Sequence, residues 1–273
     1  MTKNPWQPEG VSILPKNLDD LLPIVGQRHL FNELCSFRDA CLKESANPLS
    51  GFFLIHGGWG VGKSRVGHEI CLEAFSEEVE WIVDGERERV LDAHLEQGIL
   101  PLFTRYIQVT RGKHGDDLSA DTWIPAVTLE ALSRLVNHSD SGKGSLKKNQ
   151  DRLIQHTLNA LKPKGWDSIK GDLAKALEDP DIERAARTAL DILKTKGIKS
   201  LWIVVDEIED ITDVNQDGLT SDEREPIDQA LLAVIPRVIK AEEGRQEFPE
   251  INFILLCSHA VGDQLKQVRA IER

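Results

Sequence analysis

With 273 residues, 40% of them hydrophobic and 29% charged, the chain has the length and composition of one large α/β domain or two small ones. Its 33 basic and 45 acidic residues give a formal charge of −12, which argues against nucleic-acid binding spread over the whole surface and leaves a local basic patch open. The opening MTKNPWQPEG lacks the apolar core of a signal peptide and no run approaches the ~20 apolar residues of a bilayer span, so a cytoplasmic protein without a membrane partner is expected.

Residues 1–20, rich in Pro, Asn and Asp, read as a surface lead-in to a domain spanning 21–273. Leu30, Leu34, Phe37 and Cys41 then make a helical stripe, which SANPLSG separates from a strand. That strand, Phe52 to Ile55, is a continuous apolar run of the kind buried on both faces of a parallel sheet. After the glycines at 57, 60 and 62, Val66, Ile70 and Ala74 recur at helical spacing to about Phe75. ERERVLDAHLEQG reads as a helix stopped by Gly98, and TRYIQVT as the second strand, with VEWIVDG competing for that place. From about 113 to 200 the pattern is that of a mostly helical insertion: IPAVTLEALSRLVNH, NQDRLIQHTLNAL and IERAARTALDILK, interrupted by SDSGKGSLKKNQ, a solvated mobile loop. KSLWIVVDEIED is a central strand with two acids at its carboxyl edge. Pro226 opens a helix with Ile227, Leu231, Val234 and Val238 on its apolar face and a kink at Pro236. INFILLCSH is a further buried strand, followed by a stripe of Val261, Leu265 and Val268. This alternation predicts an α/β fold with a central, mainly parallel sheet covered on both sides. Cys35, Cys41, Cys71 and Cys257 fall in apolar patterns without metal-type spacing and read as small buried hydrophobes.

The chemistry concentrates at three strand ends. Gly57 to Ser64 fits G-x-x-x-x-G-K-[ST], a loop of inward-pointing amides at a helix N-terminus, between a strand and a helix as such a loop requires. Gly57, Gly58, Trp59, Gly60, Val61, Gly62, Lys63, Ser64 and Arg65 are therefore candidate nucleotide-binding residues, with Lys63 on the terminal phosphates and Ser64 on Mg²⁺. Ligands of open parallel sheets sit outside the carboxyl ends of the strands, so Asp206, Glu207, Ser258 and His259 are expected at the same crevice. There Asp206 would hold Mg²⁺, Glu207 would orient and deprotonate the attacking water, and Ser258, or His259, would hydrogen-bond the water or phosphate.

Two other patterns are set lower. DVNQDGLTSDER matches the first half of a calcium loop at Asp213, Asn215, Asp217 and Gly218, but Arg224 stands where the bidentate glutamate belongs, so it reads as a turn. Arg105, Arg111 and Lys113, and the group Lys143, Lys147, Lys148 and Arg152, read as solvated surface, with phosphate-backbone contact as the alternative.

IVGQR before the first helix, GGWGVGKS, VVDE and the polar end of FILLCSH follow the order seen in AAA+ ATPases and the related initiator-type and STAND NTPases, which the chain resembles from about residue 22 to 273. The resemblance implies a P-loop NTPase three-layer sandwich and ATP as the nucleotide, with no N-K-x-D motif for guanine and no LSGGQ signature of a transporter subunit. It implies Ile24, Val25 and Gly26 near the adenine, Gly57 to Ser64 as Walker A, Asp206 and Glu207 as Walker B, and Ser258 as the sensor. The family's fifth strand and helical lid have no counterpart before Arg273, and Arg269 or Arg273 takes the place of an arginine finger acting on a neighbouring subunit. The expectation is a Mg²⁺-dependent ATPase module, in a homo-oligomer or multiprotein complex, that couples nucleotide state to conformational change. The alternatives are a slowly hydrolysing switch or scaffold that recruits a partner, and a small-molecule kinase.

Overall fold

The computed structural model describes residues 23–42, 51–58, 60–77, 79–115, 118–119, 121–138, 145–208, 248, 250–258 and 262, leaving aside the side chains of 94 and 145–152. Strand β1 (Ile24–Val25) and helix α1 (Arg28–Leu42) lead to β2 (Phe52–His56) and α2 (Lys63–Glu73). A hairpin of β3 (Trp81–Val83) and β4 (Glu86–Glu88) precedes β5 (Ile99–Arg105) and the short α3 (Tyr106–Thr110). Four helices follow, α4 (Trp123–Val136), α5 (Ser145–Leu161), α6 (Trp166–Leu177) and α7 (Ile182–Lys194), and then β6 (Ser200–Asp206) and β7 (Ile251–Cys257).

The chain is a mixed α/β protein whose central sheet, in the order β2-β7-β6-β5, is parallel throughout. β6 and β7 are buried at every position, as the apolar runs 201–205 and 253–257 require for interior strands covered on both faces. Residues alternate between faces along a strand, and the packing follows that alternation. On one face Phe37 of α1 packs at a tilt against Phe53 and Trp202, and Gly67 of α2 lies against Val204 and Leu256. On the other, Trp123 of α4 packs on Phe52 and Phe253. At the amino edge, buried Asn252 ties three segments together, accepting from the Gly51 amide at 2.8 Å and donating to the Ser200 hydroxyl at 2.9 Å.

A second, three-stranded sheet has the order β1-β3-β4, with β1 parallel and β4 antiparallel to β3. It corrects one sequence expectation, because ERERVLDAHLEQG is no continuous helix: Glu86–Glu88 is β4, and helix is confined to a single 3₁₀ turn at Ala93–Leu95. Asp84 and Gly85, both at positive φ, form the tight turn that an Asp-Gly pair favours, and it folds Glu86–Glu88 back onto Trp81–Val83. Sheet pairing overrides the helical propensity of the glutamates.

The second strand of the central sheet is also displaced. It is Ile99–Arg105, while most of TRYIQVT forms α3, and VEWIVDG contributes to the smaller sheet. Pro101 lies within this strand; β5 pairs only with β6 among the described residues, and such an edge tolerates proline. The insertion is helical as expected, with IERAARTALDILK matching α7 end to end. The polar stretch is not loop throughout, since Ser145–Gln150 open α5.

The four cysteines are free thiols, with Cys71 and Cys257 buried and Cys35 and Cys41 half-buried. Burial pushes the Cys41 thiol up to about 12 and that of Cys71 higher still. No helix among the described residues is long and apolar enough to cross a membrane. The lead-in 1–20, the turn 213–224, the Pro226 helix, and the stripe from Val261 with Arg269 and Arg273 lie outside the described residues, apart from Gly262.

Candidate functional site

Parallel strands present all their carboxyl ends at one edge, and the register fixes which residues meet there. His56 stands beside Cys257, and Arg105 beside Asp206. The Gly57 amide donates to the Cys257 carbonyl at 3.2 Å, so the start of the glycine-rich turn, leaving β2, is tied to the end of β7 next to Ser258. The turn adopts backbone that only glycine takes readily: Gly60 and Gly62 have φ of 75° and 96°. A Cβ at Gly57 would lie 2.9 Å from Cγ2 of the exposed Val61, which would have to turn aside.

Gly62 caps α2 with no side-chain hydrogen bond, so the first amides of the helix, from Lys63 onward, follow directly on the turn. The Lys63 ammonium bends back over the turn and donates to the Gly57 and Gly58 carbonyls, both at 3.0 Å. The Ser64 hydroxyl donates to the Asp206 carboxylate. Burial pushes the Asp206 carboxyl above its ordinary value, opposed by that hydroxyl, by the Glu207 amide at 2.9 Å and by the charges of Arg105 and Lys63. A helix N-terminus, a lysine, a hydroxyl and a buried carboxylate thus converge from segments far apart in sequence.

Glu207 leaves β6 at φ 57°, a left-handed conformation that costs a non-glycine residue about 1 kcal/mol. Its carboxylate forms an ion pair with Arg105 Nε at 3.1 Å, both side chains being a little over a quarter exposed. This corrects the reading of Arg105 as solvated surface. The Arg105 amide in turn donates to the Gln108 side chain, which also accepts from Arg134 of α4, so Glu207 is connected through Arg105 to the helical insertion. Ser258 is half-buried at the end of β7 with its carbonyl accepting from the Gly262 amide at 2.9 Å. Val25 is exposed on β1, and Val61 is exposed within the turn. Trp59 and His259 lie outside the described residues. Lys113 is anchored rather than displayed, its ammonium donating to the Leu177 carbonyl at 3.1 Å.

Sequence reading missed the flank of α2. Glu69 is fully buried and bonded to Arg65 at 2.6 Å, and Glu73, one turn on, accepts from the Val90 and Leu91 amides. His68 is buried on the ring of Phe103, 4.4 Å between centroids, and burial holds its imidazole down to about 3. The signal for Glu69 was its i,i+4 spacing from Arg65, but such pairs are commonplace on solvated helices and burial is invisible in spacing.

Among the described residues no cluster of three or more His, Cys, Asp or Glu side chains has the arrangement of a protein-made metal cage. Comparison with protein-family models, with curated proteins and with solved structures finds no match to this chain.

Proposed function

We propose that the chain is a Mg²⁺-dependent ATPase built on a P-loop three-layer fold, one domain over residues 21–273 with a helical insertion at about 113–200, of the AAA+ and STAND-like kind its motifs resemble. The observation that carries this reading is the hydrogen bond from Ser64, at the end of the glycine turn, to Asp206 across the sheet edge. A hydroxyl and a carboxylate in contact are a hard-oxygen pair, and Mg²⁺ takes one or two such protein ligands and fills its octahedron with phosphate and water. The lack of a larger acidic cage among the described residues fits that demand. Bound there, Mg²⁺ would neutralise charge on the β- and γ-phosphates.

The amides of 57–64 and the Lys63 ammonium bind the phosphates in this scheme, and Val25 borders the base. Glu207 accepts a proton from water as the water oxygen bonds to the γ-phosphorus and the bond to the β,γ-bridging oxygen breaks, leaving ADP and phosphate. Ser258 donates to the water or the γ-phosphate. The conformational change that follows acts on a larger assembly, either copies of this chain or a complex.

The test is ATP binding and hydrolysis with Mg²⁺ over a range of protein concentrations. Lys63→Ala is expected to abolish binding, Glu207→Gln to keep binding and lose turnover, and specific activity to rise with concentration as the chain assembles. Wild-type protein that binds no ATP refutes the reading. One observation favours a second reading, a slow ATP-dependent switch that recruits a partner: Arg105 engages the carboxylate needed for water activation. Stable nucleotide occupancy with turnover below about one per minute supports the switch, being far under the 1–10³ s⁻¹ typical of enzymes.

A further inference from the structure

The flank of α2 holds a charge cluster that the proposed hydrolysis does not use. Arg65, the third residue of α2, faces Glu69 one turn on, with 2.6 Å between guanidinium and carboxylate. The Glu69 side chain is wholly buried, and its second oxygen has no hydrogen-bond partner. Arg89, from the segment after β4, is the other cation acting on it, and its guanidinium is spent on the carbonyls of Glu73, Ser76, Val79 and Leu91. Glu73 repels Glu69 from the next turn of the same helix. On the side of α1, Cys35 feels the charge of Glu73 together with those of Arg38, Asp39 and Glu88. The cation in direct contact with Glu69 is therefore Arg65, the residue after Ser64.

We infer that Glu69 is a positioning residue for Arg65 that makes nucleotide binding proton-linked: phosphate bound at the glycine turn draws on Arg65, and Glu69 takes up a proton as its partner is shared. The inference rests on the proposed function and adds a regulation to that site. Burial already pushes the Glu69 carboxyl up to about 7 against the pull of Arg65 and Arg89, so the proton is available near neutral pH. Glu69 is six helical steps beyond Lys63, about 9 Å at 1.5 Å per residue. At an effective dielectric of about 20, each uncompensated negative charge at that range raises a carboxyl by roughly one pK unit. Bound and free states then differ by about half a proton near pH 7.5, and affinity increases up to about tenfold as pH falls from 8.5 to 6.

Calorimetric titration of the full chain with ADP and Mg²⁺ at pH 7.5, in buffers of different ionisation enthalpy, counts the protons taken up. ADP is not hydrolysed, and its own titration is common to all variants. Wild type is expected to take up about half a proton per ADP. Glu69→Gln is expected to bind ADP with that uptake lost and a flattened pH profile, and Glu73→Gln to retain most of it. Should Glu69→Gln not fold, Arg65→Met carries the test: without its cation Glu69 is protonated before ADP arrives, and uptake per ADP falls toward zero. Equal uptake in wild type and Glu69→Gln, or unchanged uptake in Arg65→Met where only that variant folds, overturns the inference alone. Wild-type protein that binds no ADP overturns the proposed function and this linkage together.

Discussion

Gly67 gives the sharpest test of how α2 is seated on the sheet. Helix propensity alone favours alanine over glycine in a helix by about 1 kcal/mol, so on local grounds Gly67→Ala stabilises the protein. A Cβ at this position would lie 2.8 Å from Leu256 Cδ1, 2.9 Å from Val204 Cγ1 and 3.2 Å from Phe103 Cε2, contacts on three different strands. Leu256 and Val204 are fully buried and have nowhere to retreat. Overpacking of this kind costs about 1–3 kcal/mol, which exceeds the propensity gain and leaves a net loss of about 1 kcal/mol, or a few degrees in Tm. Gly171 in α6 is the matched control, because an added Cβ there meets nothing within 4 Å. Gly171→Ala is expected to stabilise by up to about 1 kcal/mol. Urea unfolding of both variants beside wild type measures the difference. A Gly67→Ala protein as stable as Gly171→Ala refutes the close seating of α2 on the sheet.

Other outcomes are equally definite. Asn252→Ala leaves the Gly51 amide and the Ser200 hydroxyl without their partner inside the sheet edge and is expected to cost about 2–3 kcal/mol; a loss below 0.5 kcal/mol in chemical denaturation, about the ordinary effect of a surface substitution, counts against that bridge. Glu69 and Glu73 are raised to about 7 and about 8. Each binds its proton more tightly folded than unfolded, so their contribution is complete below about pH 4.5 and is lost as pH rises through 7 and 8. Tm should fall by several degrees from pH 6 to 9 in wild type and less in Glu73→Gln; parallel profiles contradict the burial of these acids. On the ATPase reading, Arg105→Ala releases Glu207 from a part-exposed ion pair worth about 1 kcal/mol, so turnover is expected to rise about fivefold with nucleotide affinity little changed. A fall in turnover assigns Arg105 a positive role in the chemistry instead.

Much of this architecture was legible because the relevant signals are local. Four apolar residues followed by spaced glycines define a strand, a turn and a helix within one short window, and the structure has β2, the turn and α2 there. The apolar runs of β6 and β7 are equally self-contained, and their termination at Asp206 and Cys257 placed the candidate residues at strand ends. Where the reading failed, two local propensities competed and a distant partner decided. Glu86–Glu88 has helical composition and became a strand because Trp81–Val83 lay across a tight turn from it. Tyr106–Thr110 has β-type composition and is helix, because the pairing with β6 is taken by Ile99–Arg105 and ends at Arg105.

The sequence by itself determined the parts that chemistry needs: the glycine spacing, Lys63 and Ser64 at a helix start, and two acids closing a buried strand. Only the tertiary structure decided which charges meet. That Arg105 engages Glu207, that Ser64 rests on Asp206 and that Glu69 lies buried beneath Arg65 all depend on strand order, register and the facing of one helix. The physical reason is that backbone conformation follows from neighbours a few residues away, whereas burial and ion pairing are set by segments that come together only when the sheet closes.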